Sequence, residues 1–156
     1  MNYIDTHCHI YMNHFDGDRD VVIQRAIDNG VDRMICIGVD LQSSEKCLNI
    51  AEKYPQVFAT AGIHPHEAKD APPKYLHELE QFYQHAKVLA VGEIGLDLHW
   101  DKTTLEIQKK AFIHQIKLAK KYQLPIAIHV RDSFNEAIEI IESLNDKNLR
   151  GVFHCF

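Results

Sequence analysis

The chain has 156 residues, of which 46% are hydrophobic and 25% are charged, and its formal net charge is -5. This length suits one domain with a hydrophobic core and is too short for two. The acidic balance disfavours a broad basic surface for duplex nucleic acid, although a small metal-containing cleft could still hold a phosphate. No apolar run approaches the length of a membrane span, and the first residues lack the pattern of a signal peptide. We therefore expect a cytoplasmic protein with no membrane partner.

Strand-like and helix-like patterns alternate along the chain. Short apolar runs predict strands at 3–7, 33–39, 57–63, 88–94, 125–130 and 150–156. Apolar residues at helical spacing predict helices at 18–29, 43–54, from after 73 to about 85, at about 103–122 and at 133–144. Continuously apolar strands that alternate with helices are typical of a parallel sheet covered by helices.

Two closures of such a sheet are possible. An open doubly wound sheet normally has a glycine-rich phosphate loop after a strand, and no Gly-x-Gly-x-x-Gly occurs here. A TIM-type barrel instead places functional residues at the C-terminal ends of successive strands, and the polar residues of this chain follow that pattern. We therefore predict an α/β fold, a parallel (β/α) barrel. A complete barrel needs about 250 residues, so we expect one incomplete barrel domain over residues 1–156, truncated after about six strands.

His7 and His9 lie at the end of the first predicted strand. Side chains alternate between the faces of a strand, so both imidazoles point the same way while Cys8 points the other. Neutral imidazole is a favoured ligand of zinc and other divalent ions. One His-x-His pair is a weak signal, and two hydrogen-bonded surface histidines are the alternative.

Glu93, His129 and His154 stand at the ends of the fourth, fifth and sixth predicted strands. A carboxylate can bridge two cations, whereas an imidazole cannot. Any one of these histidines alone would be better interpreted as a core or rim residue. Together with His7 and His9, however, the three residues would converge on one mouth of a barrel. The set then offers nitrogen and oxygen ligands for two neighbouring divalent ions, which can generate hydroxide and stabilise attacking and leaving oxygens.

Five ordered motifs combine these residues with their neighbours. They are Asp5-Thr-His-Cys-His9, Gly62-Ile-His-Pro-His66, Gly92-Glu-Ile-Gly-Leu-Asp97, Ile128-His-Val-Arg-Asp132 and Gly151-Val-Phe-His-Cys-Phe156. This set resembles the TatD family of metal-dependent hydrolases and nucleases, within the broader amidohydrolase-type barrels. The resemblance extends from Asp5 to Phe156.

The resemblance implies a site with two divalent cations, which could be Mg, Zn or Mn. His7 and His9 would hold one, His129 and His154 the other, and Glu93 would bridge them. The implied activity is phosphodiester hydrolysis, with DNA degraded from an end or at single-stranded sites.

His64 matches a family position near the scissile phosphate, so we expect it to act beside Glu93 as a catalytic and substrate-binding residue. Arg131 matches a position that could bind the phosphate bidentately. As alternatives, His64 could cap the turn at Pro65, and Arg131 could pair with Asp132 or Glu136.

Further residues near these motifs receive supporting or surface roles. His66 and Asp97 are expected to support the metal ligands, and His99 has no matching role and is expected at the surface. For Trp100, packing against the barrel rim is favoured over stacking on a base.

The family pattern also includes a metal-binding aspartate on an eighth strand, which six predicted strands do not reach. The unpaired edges of the first and last strands predict self-association. Two other interpretations stay open. One is an amidohydrolase-type enzyme acting on a C–N or ester bond, and the other is a non-catalytic truncated fragment of such an enzyme.

Overall fold

The computed structural model describes residues 2–100, 102–144 and 146–154. Its strands are β1 (Tyr3–Cys8), β2 (Val31–Ile37), β3 (Val57–Ala61), β4 (Val88–Asp97), β5 (Ile126–Arg131) and β6 (Gly151–Phe153). The helices between them are α1 (Arg19–Asp28), α2 (Leu41–Lys53), α3 (Tyr75–Phe82), α4 (Leu105–Tyr122) and α5 (Phe134–Ser143). The alternation of strands and helices predicted from the sequence is confirmed.

The strands form one parallel sheet whose spatial order, β1 to β6, is the order of the chain. Each helix returns the chain to the same end of the sheet, so the C-terminal ends of all these strands share one edge. In a flat sheet, β1 and β6 would lie about 24 Å apart. Instead, the ring centroids of His7, in β1, and His154, directly after β6, lie 3.4 Å apart. The sheet is therefore curled into part of a TIM-type barrel, with the strand ends gathered around one mouth.

The helix ends differ from the predicted bounds for local reasons. Helix α2 begins at Leu41 rather than Ser43 because Asp40 caps it. The Ser43 N–H donates to Asp40 Oδ1 at 2.6 Å, and the Asp40 N–H donates to Ser43 Oγ at 2.9 Å. This reciprocal capping box satisfies main-chain donors that the first turn leaves free. After α1, Gly30 turns the chain toward β2 with a φ of 90°, a left-handed conformation that glycine adopts without strain.

The strands also differ from their predicted bounds, notably β4 and β6. Strand β4 continues to Asp97, beyond the predicted end at Ile94, because it stays paired with β5 as far as Asp97 and Arg131. This extension places Asp97 inside the mouth. The predicted last strand included residues 155 and 156, which lie outside the described residues, and β6 itself covers three residues.

The hydrophobic core lies between the sheet and the helices. Its fully buried side chains include Ile23 of α1, Leu79 of α3, and Phe112 and Ile116 of α4. Burying a side chain of this size stabilises the fold by about 1.5–3 kcal/mol relative to leaving it exposed. Among the described helices, none is both long enough and apolar enough to cross a membrane.

Two buried glutamines of α4 hydrogen-bond to the main chain beside the mouth. Gln115 accepts from the Ile63 N–H at 2.7 Å and donates to the Ile63 carbonyl at 3.0 Å. Gln108 makes the same pair of bonds with Asp97, at 2.8 and 3.0 Å. Seven residues separate the two glutamines, so they lie on the same face of the helix. The helix thereby fixes the two segments that carry His64 and Asp97.

Candidate metal centre

Glu93 occupies the centre of the mouth, between two imidazoles. It is 4% exposed. Its Oε2 lies 3.4 Å from His7 Nε2, and its Oε1 lies 3.1 Å from His129 Nδ1. Each carboxylate oxygen therefore faces a different histidine, one from β1 and one from β5. This is the arrangement that a carboxylate needs in order to join two neighbouring ligand groups.

The first ligand group consists of His7, His9 and Glu93. One potential ligand atom from each residue lies within 4.8 Å of the others. The Nε2 atoms of His7 and His9 face each other at 3.2 Å. Burial, followed by the proximity of His7, lowers the pKa of His9 and keeps its ring neutral. The buried Nδ1 of His9 also has no hydrogen-bond partner within the described part of the chain. Neutral nitrogens converging on a carboxylate fit a divalent transition cation.

The second group consists of His64, Glu93 and His129, whose potential ligand atoms also lie within 4.8 Å of one another. Burial and then the nearby His129 lower the pKa of His64 to about 3, so its ring is neutral. Its Nδ1 accepts the His66 N–H at 3.2 Å and thereby caps the turn at Pro65, as the alternative interpretation predicted. In a neutral ring the proton then sits on Nε2, which makes that nitrogen a donor. His64 is therefore better suited to donate to a substrate oxygen than to bind a cation.

The ring of His154 contacts His7 of β1, whereas the role expected from the sequence pairs it with His129. Its ring stacks on His7, with planes 9° apart, and burial and the neighbouring His7 lower its pKa. Its N–H donates to the Ile128 carbonyl at 2.8 Å. Phe153 and Ile128 are register partners, so His154 and His129 stand at the same height on neighbouring strands. The assignment of His154 to a metal shared with His129 stays a prediction.

Asp97 holds His129 from the side opposite Glu93. It is 1% exposed, and its Oδ2 lies 3.0 Å from His129 Nε2 and 2.9 Å from His66 Nε2. The supporting positions expected for His66 and Asp97 agree with these contacts. Since Nε2 of His129 is engaged by Asp97, its Nδ1 is the nitrogen that points at Glu93 and the ligand group. Such a carboxylate partner fixes the orientation of a ligating imidazole and raises its basicity.

The charges of Glu93 and His129 depend on each other. Burial alone would raise the pKa of Glu93, but hydrogen bonds from His129 and then His7 outweigh it and hold that pKa well below its ordinary value. Burial alone would lower the pKa of His129, but hydrogen bonds with Glu93 and Asp97 raise it. Glu93 is therefore ionised at neutral pH, and its negative charge favours the binding of a cation between the histidines.

Arg131 and Trp100 lie together on the rim of the mouth, where β5 and β4 end. The Arg131 guanidinium is 5.4 Å from the centroid of the Trp100 ring. Asp132, a suggested partner of Arg131, instead has its Oδ2 3.0 Å from His99 Nδ1. Trp100 is 68% exposed. Its ring contacts Arg131 and His99 on the rim, in line with the rim position expected from the sequence, and most of its surface is accessible to solvent.

The sequence analysis missed the contributions of Gln108, Gln115 and His99. Both glutamines stand within the buried stripe of α4, and a polar residue in an apolar stripe signals a specific partner. His99 follows Asp97 by two residues, and its N–H donates to Asp97 Oδ1 at 2.9 Å. That spacing is typical of an aspartate that accepts from the main chain two residues on.

Comparisons with known proteins agree with this fold. The family described as TatD related DNase matches residues 4–156, and the chain belongs to this family. The chain is 38% identical over 152 residues to the uncharacterized metal-dependent hydrolase YabD of Bacillus subtilis, covering 97% of this chain and 60% of YabD. It is 36% identical over 152 residues to the 3'-5' ssDNA/RNA exonuclease TatD of Cronobacter sakazakii, covering 97% of this chain and 58% of that protein.

Two solved structures extend the comparison to three dimensions. The TatD homologue YJJV of Escherichia coli matches with a TM-score of 0.84 and 36% identity, over 90% of this chain and 55% of that one. A TatD family hydrolase of Entamoeba histolytica matches with a TM-score of 0.88 and 30% identity, over 100% of this chain and 58% of that one. The predicted TIM-type architecture is thus confirmed. The chain spans between 55% and 60% of the length of these four relatives.

Proposed function

We propose that this chain provides the metal centre of a two-metal deoxyribonuclease that hydrolyses phosphodiester bonds of single-stranded DNA, starting from an end. The observation that supports it most directly is the placement of Glu93, buried and ionised between His7 and His129. The name of the Cronobacter sakazakii relative, 3'-5' ssDNA/RNA exonuclease, favours a single-stranded substrate over a duplex. The net charge of -5 also disfavours the broad basic surface that a duplex would need.

In this proposal, two divalent cations, Mg, Zn or Mn, share Glu93. His7 and His9 hold one cation, and His129 with His154 holds the other. The support for this pairing is that His154 and His129 stand at the same height on the neighbouring strands β6 and β5. The chemistry that two such cations supply is a hydroxide near neutral pH and stabilisation of the attacking and leaving oxygens.

The remaining residues position the substrate and the ligands. His64 donates from Nε2 to a non-bridging oxygen of the scissile phosphate, since its Nδ1 is occupied by the His66 N–H. Arg131 presents its guanidinium donors to the phosphate next to it. Asp97 keeps His129 in the orientation that directs Nδ1 inward.

We also propose that residues 1–156 form one domain, and that its edge strands β1 and β6 mediate self-association. Ile4 of β1 and Val152 of β6 are 58% and 62% exposed, and each strand has a paired neighbour on one side in the described sheet. Main-chain groups and apolar side chains on these two edges suit pairing with a second copy. Light scattering coupled to size-exclusion chromatography would show a dimer or larger species, and a monomer at high concentration would contradict this point.

A cytoplasmic location is also part of the proposal. Cys8 and Cys36 are register partners on adjacent parallel strands, and both are free thiols. Neighbouring strands lie about 4.8 Å apart, within the Cα separation that a disulfide can span. Two thiols this close would be prone to oxidise to a disulfide outside a reducing compartment, which supports a cytoplasmic location.

Glu93→Gln tests the proposed reaction, with Glu139→Gln on the exposed face of α5 as the matched control. The full chain is supplied in turn with Mg²⁺, Mn²⁺ or Zn²⁺ and with an end-labelled thymidine oligonucleotide. We expect metal-dependent shortening of the oligonucleotide that chelation and Glu93→Gln abolish and that Glu139→Gln preserves. No hydrolysis by the unaltered chain with any of the three metals, or full activity of Glu93→Gln, would overturn the proposal.

A further inference from the structure

Trp100 is unusually exposed for an indole. Tryptophan is highly buried on average, whereas 68% of Trp100 is accessible to solvent. It lies three residues after the end of β4 and next to Arg131, which follows His129 on β5. An exposed aromatic ring beside a reaction centre suits a flat apolar ligand.

The surroundings of Trp100 hold it in place without covering it. The His99 ring meets it edge-on, with centroids 4.9 Å apart, and the Arg131 guanidinium lies 5.4 Å from its centroid. His99 is itself fixed by Asp132, and the Leu98 N–H donates to the Arg131 carbonyl at 2.9 Å. The ring is therefore oriented before any ligand binds, which reduces the entropy lost on binding.

Contacts connect this rim to the metal centre. Asp97, which holds His129, also accepts the main-chain N–H of His99. Arg131 follows His129 by two residues on β5, so the two side chains lie on the same side of the strand, about 7 Å apart along it. Trp100 and Arg131 thus stand on the solvent side of His129, where a neighbouring nucleotide of a bound strand would lie.

We propose that Trp100, oriented by Arg131 and His99, stacks on the unpaired base next to the scissile phosphate while Arg131 contacts the adjoining phosphate, so that the site selects single-stranded nucleic acid. This inference rests on the proposed function and names the residues that provide its strand selectivity. Duplex bases are stacked on each other and do not offer a free face, whereas an unpaired base can lie on an indole. Arg131 makes no ion pair with any described carboxylate, so its donors are available to a phosphate.

Trp100 is the single tryptophan of the chain, so its fluorescence reports directly on stacking. The probes are a thymidine decamer, an abasic decamer with the same phosphates, and a duplex, each titrated into the full chain in the presence of chelator. We expect saturable quenching by the thymidine decamer and much weaker quenching by the other two. Equal quenching by the abasic decamer, or no quenching by any probe, would overturn the inference. Because chelator prevents turnover, this readout is separate from the failure or success of the hydrolysis assay.

Variants separate the roles of the base and the phosphate. Trp100→Ala should weaken binding of labelled thymidine decamer by about tenfold or more and leave binding of the abasic decamer unchanged. Trp100→Phe, which keeps an aromatic ring, should bind the thymidine decamer nearly as well as the unaltered chain. Arg131→Gln should weaken binding of both decamers. Val21→Ala is the control, since Val21 is 63% exposed on helix α1, outside both the mouth and the sheet edges. A loss in Trp100→Ala that Trp100→Phe does not restore, or an equal loss for both decamers, would contradict stacking.

Discussion

Asp97 Oδ2 lies 3.0 Å from His129 Nε2, on the side of the ring opposite Glu93. Both nitrogens of this imidazole therefore face carboxylates, one buried at the end of β4 and one at the centre of the mouth. The arrangement fixes which nitrogen of His129 is offered to a cation. The orientation of the ring, although His129 belongs to β5, is set by two residues of β4.

Replacing Asp97 with asparagine is expected to weaken metal binding at the His129 position without unfolding the chain. Asparagine preserves the shape of the side chain but supplies no negative charge to hold the imidazole. We expect the affinity for Mn²⁺ at that position to fall by about 10- to 100-fold, measured by calorimetric titration. Asp132→Asn is the matched control, because its partner is His99. Equal losses in both variants would mean that general charge, not the contact with His129, governs affinity.

Replacing His64 with asparagine is expected to lower the rate of hydrolysis while leaving metal binding intact. Asparagine can still cap the turn at Pro65, but it lacks the Nε2–H that points into the site. Loss of one such donor should reduce kcat by about 100- to 1,000-fold, with the Mn²⁺ affinity unchanged. His77→Asn, on the exposed face of α3, serves as the control. A parallel fall in metal affinity would identify His64 as a ligand instead.

The contribution of His129 to stability should depend on pH in the metal-free chain. Burial lowers the pKa of His129, but its bonds with Glu93 and Asp97 raise it above 6.5, so its contribution is complete below pH 6.5 and declines as the pH rises through the raised value. Despite burial, the pKa of Glu93 is held below 4.5, so its contribution is complete above pH 4.5 and is lost as the pH falls. The ion pair is therefore strongest between pH 4.5 and 6.5.

The measurement is urea unfolding in chelator across this range for the unaltered chain, His129→Gln and the control His77→Gln. We expect His129→Gln to lower the free energy of unfolding by about 1–3 kcal/mol within the window and by less at higher and lower pH. A difference that is constant from acid to alkaline pH would be incompatible with the ion pair.

Replacing Gln115 with leucine is expected to destabilise the fold and loosen the segment after β3. The change leaves the buried N–H and carbonyl of Ile63 without their partner, and each unsatisfied group costs about 1–3 kcal/mol. The free energy of unfolding should fall by about 2–5 kcal/mol, measured by denaturant titration. Gln81→Leu, at an exposed position of α3, should change it little. A cost for Gln115→Leu as small as that of the control would show that water replaces the amide.

Much of this architecture follows from sequence patterns. The alternation of apolar runs with helical periodicity predicted the parallel strands and their order, because hydrophobic spacing reflects local geometry. The position of Glu93 beside His7 and His129 followed as well, because parallel strands deliver their C-terminal ends to one edge. The sequence contains the Asp40 and Ser43 pair that caps α2, and this cap places the start of the helix two residues before the predicted one.

Other features depend on side-chain conformation and tertiary contacts, which spacing does not determine. The stacking of His154 on His7, and the approach of His64 to His129, result from ring rotations that are independent of strand register. The exposure of Trp100 depends on which elements cover the rim. An aromatic residue after a strand is compatible with either a buried or an exposed ring, and the sequence pattern does not distinguish the two.

Gln115 of α4 hydrogen-bonds to the main chain of Ile63 and not to its side chain, and this has a consequence for how such proteins can change over evolutionary time. A partner that contacts only N–H and C=O groups is indifferent to the side chain at that position. Related chains should therefore tolerate varied apolar residues at Ile63 while keeping glutamine at 115, since glutamate lacks the amide donor that the Ile63 carbonyl accepts. The residue at position 63 can then be substituted without moving the neighbouring His64 away from the mouth.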